Sequence, residues 1–125
     1  PDGLRVLLAE DNDINAEIVM DMLKSSNIKC IRTKNGQDAV KAEKRHDFDV
    51  ILMDCQMPIM DGHTASKLIR SEGRNKDTVR IIALTANAFI EDKNACLEAG
   101  MNAHLSKPIR KQVLFDCIAR ELASV

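Results

Sequence analysis

Short apolar runs alternate along the chain with longer segments whose apolar residues recur at helical spacing. Short runs bounded by polar or turn residues are typical of strands, and the 3.6-residue recurrence is typical of amphipathic helices. The strand-like runs cover residues 5–9, 29–33, 50–53, 80–84 and 103–105. The helical segments cover about 13–23, 36–45, 62–71, 90–99 and 110–122. This alternation predicts an α/β fold with a parallel sheet covered on both faces.

Local residues support several of these boundaries. The third run, VILM, has no polar residue, as expected for a strand that is buried on both faces. The second run (KCIRT) is less apolar, which favours an edge strand. Asn12 or Asp13 can cap the first helix. Gly100 follows the fourth helix, where a left-handed residue commonly ends a helix.

Polar side chains follow the predicted strands at one edge of the sheet. Glu10 and Asp11 follow the first strand, Asp54 the third, Thr85 the fourth and Lys107 the fifth. In isolation these residues have simpler explanations: a cap, a loop acid, a turn hydroxyl and a surface lysine. Ligands of open parallel sheets bind outside these strand ends, however, and clustered acids repel unless a hard divalent cation joins them. An aspartate there can attack a phosphoryl group, a reaction that depends on positioning and charge neutralisation.

Composition narrows the classes of function. The 125 residues form one domain, and 18 Lys and Arg against 19 Asp and Glu give a net charge of -1. This balance predicts neither nucleic-acid binding nor membrane contact, and the three aromatic residues, all Phe, cannot form a base-stacking platform. The chain begins at Pro1 rather than Met. We therefore expect residues 1–125 to be a single cytoplasmic domain from a longer protein, and we expect a monomer.

The cysteines are widely separated in the sequence. Cys30, Cys55, Cys96 and Cys117 form no CxxC pair, and no two histidines have the spacing of zinc ligands. This spacing predicts small buried side chains in a reducing compartment rather than a zinc site.

Four motifs together resemble the response-regulator receiver domain, the phospho-acceptor module of two-component signalling. They are AEDN at 9–12, MDCQMPIMDG at 53–62, ALTA at 83–86 and LSKP at 105–108. They occur in this order at the ends of predicted strands one, three, four and five, and the resemblance covers essentially the whole chain. It implies a flavodoxin-like doubly wound sheet of five parallel strands in the order 2-1-3-4-5, with helices on both faces.

The resemblance also implies roles for the acids. Asp54 would accept the phosphoryl group. Asp11, Asp54 and the backbone carbonyl of Gln56 would bind Mg²⁺, and Glu10 would act through a water molecule. Gln56 and Asn87 would flank the water that hydrolyses the acyl phosphate.

Further positions would form the switch. Lys107 would pair with phosphoryl oxygens, Thr85 would move to bond one of them, and the peptide bond before Pro108 would be cis. The family usually has Tyr or Phe three residues before the lysine as a rotating switch residue. This chain has His104 there, and imidazole is smaller, polar and titratable near neutrality.

The segments DNDIN, MDCQMPIMDG and LTANA are more similar to receivers attached to hybrid histidine kinases than to those fused to DNA-binding domains. The expected function is therefore a phosphorelay step with a histidine kinase or a histidine phosphotransfer domain as partner. An alternative is a docking module on the same fold that does not depend on phosphorylation. A flavin site would need a phosphate-binding loop in place of Glu-Asp-Asn-Asp, and an aspartate-dependent phosphatase would need an acid at Gln56.

Overall fold

The computed structural model describes residues 3–86 and 90–123, which fold into a five-stranded sheet and five helices in strict alternation. The strands are β1 Arg5–Ala9, β2 Lys29–Thr33, β3 Val50–Asp54, β4 Arg80–Thr85 and β5 Ala103–Ser106. The helices are α1 Asp13–Lys24, α2 Gly36–Arg45, α3 Gly62–Glu72, α4 Ile90–Glu98 and α5 Lys111–Ala123. The strand order is β2-β1-β3-β4-β5, and every pair of neighbours is parallel. The predicted doubly wound α/β fold is confirmed.

The sheet separates two hydrophobic cores because successive strand residues point to opposite faces. The core beneath α1 and α5 includes Val6, Leu8, Val50, Leu52, Ile82, Leu84 and Leu114. The core beneath α2, α3 and α4 includes Leu7, Ile51, Met53, Ile69, Ile81, Ala83 and Cys96. In the described part of the chain, no helix has the length and apolar character needed to cross a membrane.

At the amino-terminal edge of the sheet, away from the acidic residues, side chains hydrogen-bond to the backbone and hold the loops in place. The Glu43 carboxylate is fully buried, and it accepts hydrogen bonds from the backbone N–H groups of Arg74 (2.7 Å) and Asn75 (2.8 Å). The Arg70 guanidinium donates to the carbonyl oxygens of Gly100 (2.8 Å) and Val79 (2.7 Å). These contacts join α2, α3 and the turn after α4.

At the other edge, Gly62 lets the start of α3 approach the end of β3. Its N–H donates to the Cys55 carbonyl at 3.2 Å, and a Cβ at this position would overlap the carbonyl oxygen of Asp54. The Asp61 carboxylate caps α3 by accepting from the N–H of Thr64 at 2.8 Å. Gly100, two residues after the end of α4, has φ +92°, as predicted for a left-handed terminating residue.

We expect Gly62→Ala to lower the free energy of unfolding by about 2 kcal/mol or more, because the added methyl group meets rigid backbone. Urea unfolding followed by circular dichroism measures this change. Lys67→Ala, on the exposed side of the same helix, is the control and should change stability by less than about 0.5 kcal/mol. Equal stability of the two variants would show that the loop moves freely to accommodate the methyl group.

Candidate active site and metal centre

The carboxyl ends of β1, β3, β4 and β5 surround one open cavity of about 790 Å³. Each strand end delivers one or two polar groups to it, because parallel strands all finish at the same edge. The lining includes Glu10, Asp11, Asp54, Gln56, Thr85 and Lys107. All of the residues predicted to bind the phosphoryl group or the metal therefore meet around one space.

Lys107 joins two buried carboxylates. Its Nζ lies 2.9 Å from Oε1 of Glu10 and 3.0 Å from Oδ2 of Asp54, which are 1% and 4% exposed as whole residues. Burial raises the pKa of Glu10, the nearby Asp54 carboxylate raises it further, and Lys107 opposes part of this rise. Burial alone would lower the pKa of Lys107, but the two carboxylates outweigh burial and leave that pKa raised. Lys107 is therefore held in its charged form.

Arg32, on β2, fixes the loop that presents the acids. Its Nε and Nη2 donate to the backbone carbonyl oxygen of Glu10 at 2.9 and 2.7 Å, and its Nη1 pairs with Asp13 at 2.8 Å. This ion pair is the main cause of the lowered pKa of Asp13. Asn12 caps α1, as predicted, by accepting from the N–H of Asn15 at 2.9 Å. The role of Arg32 could not be predicted from the sequence, because only the parallel β1–β2 pairing brings this residue beneath the loop.

The acids have the composition of a site for a hard divalent cation. Oxygen atoms of Glu10, Asp11 and Asp54 lie within 4.8 Å of one another. Asp11 is exposed while the other two are buried, so the group opens to the cavity. Mg²⁺ prefers oxygen ligands and keeps several of its water molecules, so a carboxylate group that opens to a cavity fits this ion. The N–H of Gln56 donates to Oδ1 of Asp54 at 3.2 Å, so both oxygens of Asp54 have a partner.

The remaining predicted positions fall in two places. Thr85 is buried at the end of β4 and lines the cavity. His104 is half-buried on β5 and lies on a separate shallow cavity with Pro108 and Val113. The Lys107–Pro108 peptide bond is cis. Asn87 lies outside the described residues.

A second cluster of possible ligands borders the same cavity. The sulfur atoms of Cys55 and Cys96 are 3.9 Å apart, and Nε2 of His63 lies 3.6 Å from the sulfur of Cys96. The sequence spacing did not predict this cluster, because its members come from three different elements. One signal was present: Cys55 directly follows β3, at the edge where the other polar groups meet.

The sequence matches the family described as Response regulator receiver domain over residues 6–119. The hybrid signal transduction histidine kinase M of Dictyostelium discoideum is 44% identical over 119 residues, covering 92% of this chain and 5% of that protein. The sensor histidine kinase RcsC of Salmonella typhimurium is 36% identical over 118 residues, covering 94% of this chain and 12% of that protein. The chain thus spans only a small part of the curated relatives that it matches.

Solved structures give the same result. The receiver domain of the sensor histidine kinase PA1611 from Pseudomonas aeruginosa PAO1 has a TM-score of 0.89 and 40% identity, covering 97% of this chain and 98% of that one. That structure has a magnesium ion coordinated in the active site cleft. The receiver domain of Ssk1 from Saccharomyces cerevisiae, crystallised with the histidine phosphotransfer protein Ypd1, has a TM-score of 0.89 and 34% identity, covering 98% and 90%.

The doubly wound sheet and its acidic edge define a signal-receiving module of a two-component phosphorelay. The chain belongs to the response regulator receiver domain family, and the curated relatives named above are histidine kinases that contain a matching receiver portion.

We expect Lys107→Met to lower the free energy of unfolding by about 2–3 kcal/mol at pH 7, because two buried carboxylates then lack a cation. Loss of the lysine also raises the pKa of Glu10 further. A carboxyl whose pKa is higher in the folded state than in the unfolded state stabilises the fold as it takes up a proton. The deficit should therefore shrink as the pH falls through the raised pKa of Glu10 toward its ordinary value of 4.5.

Urea unfolding at a series of pH values measures this dependence. Lys34→Met is the matched control, since Lys34 is 66% exposed and lies 3.6 Å from the exposed Asp13. It should change stability by less than about 1 kcal/mol, with no comparable recovery in acid. A Lys107→Met deficit that is constant with pH would contradict the assigned role of Glu10.

Proposed function

We propose that this domain accepts a phosphoryl group from a phosphohistidine onto Asp54, in a reaction that requires Mg²⁺. The observation that carries the proposal is the Asp54 carboxylate itself, buried at the cavity yet bonded to the Lys107 ammonium at 3.0 Å. A charged nucleophile, a fixed cation and an acidic metal site thus share one open space. Phosphoryl transfer depends mainly on such positioning and charge neutralisation.

In the proposed step, an oxygen of Asp54 attacks phosphorus, the new O–P bond forms, and the P–N bond of the phosphohistidine breaks. The imidazole, protonated on its other ring nitrogen, leaves as a neutral ring with the electron pair of the P–N bond. Lys107 keeps the carboxylate oriented before transfer, and its ammonium group then pairs with a phosphoryl oxygen. Thr85, buried beside the cavity, donates its hydroxyl hydrogen to another phosphoryl oxygen.

Asp11, Asp54 and the backbone carbonyl of Gln56 would hold Mg²⁺, with Glu10 acting through a water molecule. When bound, the ion neutralises negative charge on the carboxylates and on the phosphoryl oxygens. The magnesium ion in the PA1611 receiver supports this assignment. A cytoplasmic setting is part of the same proposal.

We further propose that His104 acts as the switch residue in place of the aromatic ring usual in the family. Its half-buried position on β5, two residues before the end of the strand, supports this role. The imidazole would turn toward the space that Thr85 leaves when Thr85 moves to the phosphoryl group.

The proposed partner is a histidine phosphotransfer domain or a histidine kinase. Ile14 and Ile18, one turn apart on α1, are 70% and 48% exposed, so Ile14 does not belong to the core. Ile18 borders a small groove with Pro108 and Ile109, next to the active-site cavity. An exposed apolar strip beside a reactive site is suited to docking a helical surface. The complex of the Ssk1 receiver with Ypd1 supports this class of partner.

Asp54 should be the only residue that gains a phosphoryl group from a small donor such as acetyl phosphate, and only with Mg²⁺ present. Intact-mass spectrometry measures the gain, which Asp54→Asn or excess chelator should abolish. Asp11→Asn should also reduce the mass gain strongly. Asp13→Asn is the control and should not reduce it, because Asp13 pairs with Arg32 rather than with the metal site. A wild-type protein that gains no mass with Mg²⁺ present would favour the docking-module alternative.

Ile14→Asp should reduce phosphoryl transfer from a phosphorylated histidine phosphotransfer domain at least tenfold, because it places a charge on the docking strip. Phosphorylation by acetyl phosphate should stay unchanged, since Ile14 does not line the active-site cavity. Leu97→Asp, on α4, is the control, because Leu97 is 53% exposed and lies on the other side of the sheet. Equal transfer to the two variants would place the docking surface elsewhere.

A further inference from the structure

Three side chains from separate elements converge at the edge of the α2–α3–α4 core. Cys55 follows β3, His63 lies in the first turn of α3, and Cys96 lies in α4. Their two sulfur atoms and one imidazole nitrogen all lie within 4.8 Å of one another. Cys96 is buried, while Cys55 and His63 are half-buried and line the active-site cavity. The group is therefore accessible to an ion from solvent.

The distances match those around a single tetrahedral zinc ion. Two thiolates at about 2.3 Å from such an ion lie about 3.8 Å apart, and a thiolate and an imidazole nitrogen lie about 3.6 Å apart. The structure has 3.9 Å between the two sulfurs and 3.6 Å between the Cys96 sulfur and Nε2 of His63. A disulfide would need the sulfurs at about 2.0 Å. These two distances therefore match a shared tetrahedral ion, and the Cys55 sulfur and the His63 nitrogen lie within 4.8 Å of each other.

This group is distinct in chemistry and direction from the acidic site. Asp54 and Cys55 are consecutive, and strand alternation directs them to opposite faces of the sheet. Cys55 packs against the core that contains Cys96, whereas Asp54 bonds Lys107. Thiolate and imidazole ligands select Zn²⁺, whereas the carboxylates of the acidic site suit Mg²⁺.

We propose that Cys55, His63 and Cys96 bind one Zn²⁺ ion, with a fourth coordination position open to the cavity. Binding replaces the two thiol protons, which go to solvent, and the neutral imidazole supplies its lone pair. The ion joins α4 to the end of β3 and the start of α3. It therefore stabilises the position of α4 beside the active-site cavity.

The test uses the reduced 125-residue chain and Co²⁺ as a spectroscopic probe. One equivalent of Co²⁺ should produce a thiolate-to-metal charge-transfer band and the intense visible bands of tetrahedral cobalt. Zn²⁺ should displace the cobalt and raise the melting temperature, while a large excess of Mg²⁺ should leave the spectrum unchanged. Asp54→Asn should keep the spectrum, which separates this site from the acidic one.

Single variants identify the ligands. Cys55→Ala and Cys96→Ala should lose the charge-transfer band in part or completely, together with the zinc-dependent shift in melting temperature. His63 is half-buried, so we expect His63→Ala to fold normally. It should weaken Zn²⁺ binding at least tenfold, because loss of an outer-shell partner alone costs that much. Cys30→Ala is the control and should bind as the wild type does, because Cys30 lies on β2, away from the cluster.

Either of two results would overturn the proposal. The first is a cobalt spectrum of the reduced wild-type protein that lacks a thiolate band. This result counts against the proposal even if Cys55 and Cys96 form a disulfide in air. The second is wild-type Zn²⁺ affinity in His63→Ala and Cys96→Ala proteins whose circular dichroism shows an intact fold.

Discussion

One ammonium group between two buried carboxylates determines what this edge of the sheet can do. Removing Glu10 and Asp54 from water is costly, and the charge of Lys107 offsets that cost only because its Nζ reaches both at 2.9 and 3.0 Å. The three residues come from β1, β3 and the segment after β5, so their meeting depends on the parallel register of the whole sheet. Asp11 adds further negative charge at the exposed side, which leaves the site with more acid than base. The excess negative charge therefore favours the binding of a cation at this site.

The fold followed from the sequence because each short apolar run must be covered on both faces. The strand boundaries changed only where hydrogen bonds extend the sheet. β3 ends at Asp54 and β4 ends at Thr85, each one residue later than predicted. The sheet extends this far because the N–H of Cys55 donates to the carbonyl oxygen of Leu84 at 3.1 Å, and the N–H of Lys107 donates to that of Thr85 at 2.8 Å. The acidic site followed from the same logic, since the predicted residues all occupy strand ends.

The apolar pattern does not predict contacts that depend on the extension of a long side chain or on the rotation of a helix about its axis. Arg32 is one residue before the end of an edge strand, and nothing local indicates that it bonds the Glu10 carbonyl. In the sequence, Glu43 has the pattern of a solvated helix residue. In the structure it is buried because the turn after α3 covers it and donates two N–H groups to its carboxylate. Cys55 and Cys96 are 41 residues apart in sequence, and their meeting depends on how α4 is rotated about its axis. The pattern of apolar residues in one sequence indicates which residues are buried and whether a segment is helix or strand, but it gives little information on the rotation of a helix about its axis.

The opposite orientation of Asp54 and Cys55 has a mechanical consequence. The two residues share one peptide group, which is planar and resists twisting. A displacement of the Asp54 backbone is therefore transmitted directly to Cys55 and to the α3–α4 side of the sheet, with no flexible side chain between them. Cys55 packs against the core beneath α2, α3 and α4, so the backbone position of Asp54 and the packing of that core constrain each other.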